Sequence, residues 1–209
     1  MPAPARKGET LIEVIAALTA LVIAGLAAVT VVISVLSSTA ISKEFLIAQN
    51  LAREGIEGVT NIRDTNWLLF PTKKEDCWML IDATDCAPAD TVAAQDQGYV
   101  MMRDPSGKLY LKEKDTWLDL GDVGEDTADE EYKLYLNTSG YYTHSNADQA
   151  DPQPGPVFYR MIEFEKADVL DDLVAFEHER VKATITVEWF NKSMAKTYTL
   201  SSILTNYEK

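Results

Sequence analysis

Residues 14–36 form an unbroken run of 23 residues without a charged side chain, and this run constrains the chain more than any other feature. As a helix rising ~1.5 Å per residue it spans roughly 34 Å, enough to cross a bilayer core. Arg6 and Lys7 stand ahead of it, so the positive-inside rule predicts a cytoplasmic N-terminus and places everything after residue 36 on the far side. A secretory signal peptide has a shorter apolar region, roughly 7–15 residues, before a small-x-small cleavage site. This run is too long for that, although Ser37-Ser38-Thr39-Ala40 imitates such a site. A plain signal anchor accounts for the length but gives Glu13 no role. A carboxylate drawn to mid-bilayer costs about 2.5–3.5 kcal/mol, whereas one near the interface can snorkel.

The stretch Lys7-Gly8-Glu9-Thr10-Leu11-Ile12-Glu13 leads straight into the apolar run. Basic residues, a glycine, Thr-Leu-Ile-Glu and an uninterrupted apolar helix closely resemble the class III leader of type IV pilins and pseudopilins. In that family a membrane aspartyl protease, the prepilin peptidase, cuts after the glycine and methylates the new amine. The resemblance implies cleavage between Gly8 and Glu9, with the membrane helix retained. A glycine lets a protease approach the backbone closely. The new α-amino group, with an unmodified pKa of about 8, would lie at the start of the helix. The resemblance gives Glu13 the task of neutralising that amine on a neighbouring subunit. Such a pair attracts by roughly 4 kcal/mol at 4 Å and an effective dielectric of 20, before desolvation. The chain departs from the family pattern in two places. Glu9 stands where most members begin with an apolar residue, and Thr30 stands where many major pilins carry a mid-helix proline.

Beyond the anchor the chain is acidic. Of the net charge of −14, residues 1–60 contribute four basic against five acidic side chains, leaving the rest near −13. Such a head repels nucleic acid, whose binding depends on Lys and Arg neutralising phosphates, so no direct nucleic-acid binding is expected. Cys77 and Cys86 are the only cysteines, both on the exported side, where a disulfide is favoured. Zinc is the alternative, but His144 and His178 lie at no ligand spacing from them.

Past residue 36, Ile41, Phe45, Ala48, Ala52, Val59 and Ile62 recur every three or four positions among charged neighbours, which predicts an amphipathic continuation to about residues 63–66. Gly55 and Gly58 read as its weak points. A membrane-proximal coiled coil is the competing reading. From Pro71 the pattern changes to short alternating runs. Residues 99–102 and 108–112 flank Asp104-Pro105-Ser106-Gly107 and predict a hairpin. Further strands are expected at 132–137 and 157–165, with an exposed proline-bearing loop at 146–156 between them. The clearest strand has Val181, Ala183, Ile185, Val187 and Trp189 on one face; the chain then turns at 191–193 and returns through 196–200. The expected fold is therefore α+β, a long N-terminal membrane-spanning helix packed on a C-terminal antiparallel β-sheet head. The resemblance implies the same layout, the pilin fold. Its segments are a leader at 1–8, a transmembrane and assembly helix at 9–36, the amphipathic continuation at 37–66 and the head at 67–209.

No catalytic residue, cofactor or metal is expected. Asp119, Asp122, Glu125, Asp126, Asp129, Glu130 and Glu131 form an acidic run that could hold calcium, but their spacing does not match an EF-hand. His144 reads as a surface residue in a polar turn. Neither a nucleophile elbow nor a phosphate loop is present. Asn137-Thr138-Ser139 and Asn191-Lys192-Ser193 match the N-glycosylation acceptor only formally.

The function expected from the resemblance is structural: a prepilin-like subunit, of minor rank, of a type IV pilus or type II secretion pseudopilus. Its implied partners are other pilin or pseudopilin subunits, the prepilin peptidase, an inner-membrane assembly platform and the membrane itself. The chain would sit in the cytoplasmic membrane before entering an extracytoplasmic filament. The alternative is a permanently anchored extracytoplasmic binding domain that never polymerises.

Overall fold

The computed structural model describes residues 11–79, 86, 97–114, 128–147, 149–152, 155–166, 180–191 and 194–206. The chain divides into two compact units, Met1–Lys43 and Glu44–Lys209. Helix α1 (Leu11–Leu69) supplies all the described residues of the first unit and the opening of the second.

In the first unit no described residue is buried, and large apolar side chains such as Leu18, Leu21, Val22, Leu26 and Ile33 stand open. By length and composition this is a helix that can cross a membrane. Its hydroxyls are turned back onto its own backbone: Thr19 Oγ1 donates to Ile15 O and Thr30 Oγ1 to Ala27 O, each at 2.8 Å. Thr39 Oγ1 and Ser42 Oγ likewise donate to Val35 O and Ser38 O at 2.9 Å. A hydroxyl satisfied within the helix needs no water, which makes these residues cheap in hydrocarbon.

In the second unit the same helix becomes one-sided. Ala48, Leu51, Ala52, Gly55, Gly58, Val59, Ile62 and Asn66 are buried at intervals of three and four, forming the stripe that an amphipathic helix turns to a core. Burying Leu51, Val59 or Ile62 contributes about 1.5–3 kcal/mol each. The helix runs to Leu69, a turn beyond the expected end. Phe70 N still donates to Asn66 O at 2.9 Å, and Pro71, which cannot continue the ladder, stops it. Asn66 Nδ2 donates to Trp78 O at 3.2 Å, tying the helix end to the single turn α2 (Lys74–Cys77).

That stripe packs on an antiparallel sheet of seven strands: β1 (Gly98–Arg103), β2 (Leu109–Lys114), β3 (Lys133–Leu136), β4 (Tyr142–Thr143), β5 (Phe158–Lys166), β6 (Arg180–Asn191) and β7 (Met194–Thr205). A short helix, α3 (Ala128–Tyr132), precedes β3 and takes Tyr132 out of the expected strand. β6 pairs with β7 along its whole length, from Arg180–Thr205 to Asn191–Met194, and with β5 on its other edge. The remaining edge of β5 is shared by β3, at Phe158 and Tyr159, and by β1, at Ile162. The expected hairpin is β1–β2, in register from Gly98–Lys114 to Arg103–Leu109, and Asp104 Oδ1 closes its turn by accepting from Ser106 Oγ (2.6 Å) and Lys108 N (2.9 Å).

Ala183, Ile185, Val187 and Trp189 form the buried side of β6, as the alternation predicts, with Tyr99, Leu111, Phe158, Ile162 and Phe164 in the same core. Phe45 meets Tyr198 and Trp189 edge-on, at centroid distances of 5.3 and 6.4 Å. The two glycines expected to weaken the helix instead let it approach the sheet. A Cβ on Gly55 would stand 2.9 Å from Ile185 Cγ2, and one on Gly58 would overlap Met101 Sδ. The architecture is the expected α+β one, a long apolar N-terminal helix packed on an antiparallel sheet.

Candidate functional site

Glu13 is the only acidic residue in the first described turn of α1, and it is exposed between open apolar neighbours, Ile12 at 74% and Val14 at 45%. It is the sole charge on the helix between Leu11 and Lys43. Gly8 and Glu9, the expected cleavage pair, lie outside the described residues, so the surroundings of Glu13 are defined from Leu11 onward.

Cys77 and Cys86 are joined as a disulfide with Cα atoms 5.5 Å apart, the expected pairing. Among the described residues no group of three or more acidic, histidine or cysteine side chains could hold a metal ion. Only Glu130 and Glu131 of the acidic run have described side chains, and each is engaged by a lysine. Lys133 Nζ lies 2.9 Å from Glu130 Oε1, and Lys114 Nζ 3.2 Å from Glu131 Oε1. Asp119, Asp122, Glu125 and Asp126 of the run, and His178, lie outside the described residues. Asn137 and Asn191, the formal glycosylation acceptors, are 5% and 9% exposed. Asn137 Oδ1 caps its own turn, accepting from Ser139 N and Tyr141 N at 3.1 and 3.0 Å.

His144 is more enclosed than its polar neighbours suggest. Its Nδ1 lies 3.1 Å from Lys133 O, and because a carbonyl only accepts, this nitrogen carries the proton. Nε2 is shut away from solvent without a partner. Burial first, then the Arg160 charge, hold the imidazole well below its ordinary pKa, with the Lys133 carbonyl opposing.

Arg160 is the residue that sequence reasoning missed. It occupies an inward position of β5 between Phe158 and Ile162 and is 1% exposed. Nη1 donates to Leu51 O at 3.2 Å and lies 3.5 Å from Glu54 Oε2, while Nε has no partner. Burial lowers the pKa of the guanidinium and the Glu54 charge raises it. The signal was present in the alternation Phe158, Arg160, Ile162, Phe164, which sets a cation on an apolar face. Arg160 is also among the residues lining a cleft of about 190 Å³ bounded by α1, the end of β1 and the β3–β4 hairpin.

Compared with protein-family models, with curated proteins and with solved structures, the chain matches none.

Proposed function

We propose that the chain is a structural subunit of a membrane-derived filament, of the type IV pilus or type II secretion pseudopilus kind, processed after Gly8 and assembled through its N-terminal helix. One observation carries the reading: a single helix, Leu11–Leu69, is apolar and exposed around its whole circumference up to Lys43 and then buried along one stripe beneath a sheet. A soluble protein does not leave some thirty residues of apolar helix open to water, since each buried CH₂ is worth about 0.8 kcal/mol. Lipid takes that surface before assembly and neighbouring helices take it afterwards. Internally bonded hydroxyls suit both environments. Glu13 is the one group on this surface that can bind a cationic amine, and the leader-like residues before it would create that amine by cleavage.

The acidic head stays soluble on the far side of the membrane, where the Cys77–Cys86 disulfide is stable. The test is Glu13→Ala in the producing cell. The account predicts that this variant stays in the membrane fraction and disappears from the sheared filament fraction. Equal recovery of the variant and the wild type from filaments refutes assembly through Glu13. The competing reading, an anchored domain that never polymerises, predicts that neither is found in the sheared fraction.

A further inference from the structure

Strand β7 is the long edge of the head. It pairs with β6 from Thr205 to Met194 without a bulge, and among the described strands it has no partner on its other side. We propose that this edge pairs antiparallel with β7 of a second copy of the chain, joining two heads through one continuous sheet. The inference does not depend on cleavage after Gly8 or on assembly through Glu13.

An edge strand presents a row of unpaired backbone N–H and C=O groups, and proteins blunt such edges by making them short, charged, bulged or proline-bearing. The other two ends of this sheet follow that rule. β2 has Lys112, Glu113 and Lys114 in its last three places, and β4 is two residues long. β7 does not. It has twelve residues, no proline and a single charged side chain, Lys196.

The side chains of β7 define the strand that fits beside it. On the helix side Tyr198 and Leu200 are only half-buried against the core, and Phe45, 43% exposed, meets Tyr198 edge-on. On the opposite face Thr197, Thr199, Ser201 and Ile203 are exposed. The core is therefore open along this edge, and a strand laid there must alternate apolar with hydroxyl-bearing residues. β7 is itself such a strand, so two copies match.

Charge favours the same occupant. The head is strongly acidic and repels a second head over most of its surface, but β7 carries no carboxylate. Residues opposed in an antiparallel pair share a face. A twofold pairing centred on Leu200 sets Tyr198 against Ser202 and Thr199 against Ser201, and it carries each Lys196 to Leu204, away from the other Lys196. Its axis is normal to the sheet and reverses every direction in the sheet plane, so the α1 segments packed on the two sheets run oppositely. Neighbours held in one membrane have parallel helices. The contact thus joins copies that project from opposed membranes or filaments.

The test uses the full chain in lipid nanodiscs loaded with one copy each, so that any pairing of discs is made by the heads. Sedimentation reads the pairing. Its geometry is read from distances between spin labels on Thr199→Cys or Ala195→Cys, since the native cysteines are bonded to each other. The expected result is disc pairs with Kd on the order of 10–100 μM. At ~3.4 Å per residue, the antiparallel pairing offsets the labels along the strand by roughly 7 Å at position 199 and roughly 34 Å at position 195. Thr199→Lys with Ser201→Lys sets like charges opposite one another and should weaken pairing roughly tenfold or more, with unchanged circular dichroism. Mixing that variant with Thr199→Glu, Ser201→Glu should restore it. If the lysine variant does not fold, the label distances decide. Absence of disc pairs up to about 500 μM overturns the proposal and leaves the edge to a strand of a different protein. Pairs that the lysines do not weaken, or equal label distances at the two positions, overturn it as well, the first in favour of another surface and the second in favour of parallel strands.

Discussion

Replacing Gly55 by alanine sets two effects of known size against each other. Alanine is favoured over glycine in a helix interior by about 1 kcal/mol, so on propensity alone the substitution stabilises. The added methyl, however, meets Ile185, with Cγ2 at 2.9 Å, Cγ1 at 3.0 Å and Cβ at 3.6 Å. Ile185 cannot step aside. It is fully buried, its branched Cβ leaves few rotamers, and its backbone is paired with Ile162 on one side and Leu200 on the other. Overpacking of a rigid core costs about 1–3 kcal/mol, so after the gain in propensity Gly55→Ala should lose up to about 2 kcal/mol net. Gly58→Ala meets the free end of Met101 instead, Sδ and Cε of an unbranched side chain that can rotate away. Its net change should stay within about 1 kcal/mol of zero. The assay is a urea titration of the full chain in micelles, followed through the fluorescence of Trp78 and Trp189, both 3% exposed. If Gly55→Ala proves more stable than the wild type by about 1 kcal/mol, propensity alone has acted, and the close approach of helix and sheet is wrong.

Three further outcomes follow from particular groups. Cys77→Ser with Cys86→Ser opens a loop of nine-residue separation and should cost roughly 2–3 kcal/mol in the same titration; an unchanged midpoint would contradict a stabilising bridge. His144 has its native pKa held well below 6.5, so below about pH 6.5 the unfolded chain takes up a proton that the native chain refuses. Stability should therefore fall as pH drops through that window, by at most about 1.4 kcal/mol per pH unit from this group, and His144→Gln should flatten that part of the profile. A variant profile parallel to the wild type would show that His144 is charged in the fold. Glu54→Gln removes the counter-charge of Arg160, and a charged hydrogen bond is worth about 1.5–3 kcal/mol, reduced here by the 3.5 Å separation and the half-exposed carboxylate. A loss of about 1 kcal/mol is expected, and no loss would make the pair incidental.

The fold was legible where one physical demand governs many consecutive residues. The apolar run fixes a helix because twenty-odd uncharged residues leave no other way to bond the backbone in lipid. The alternation from Val181 to Trp189 fixes a half-buried strand, and Asp104-Pro105-Ser106-Gly107 fixes a turn, since in each case the signal is local. What stayed hidden depends on partners distant in sequence. Gly55 and Gly58 look like helix breakers until Ile185 and Met101 are placed against them. His144 looks exposed among Thr143 and Ser145 until Lys133, eleven residues earlier, covers it. Arg160 looked like one more charge on a strand, because nothing near it in the chain shows that Leu51 and Glu54, over a hundred residues away, close above it. The cleft is assembled from four separated segments and has no sequence signature at all. The leader-like residues show the opposite limit: Gly8 and Glu9 carry a strong local pattern but lie outside the described residues, so their reading rests on sequence alone.

The central claim, processing into a filament subunit, is tested most directly by the intact mass and N-terminal sequence of the protein recovered from its native membrane or sheared surface fraction. The account predicts a chain that begins at Glu9, shortened by the eight residues up to Gly8. A chain still carrying those residues, in cells whose prepilin peptidase is demonstrably active, would contradict it and leave the head as a tethered domain.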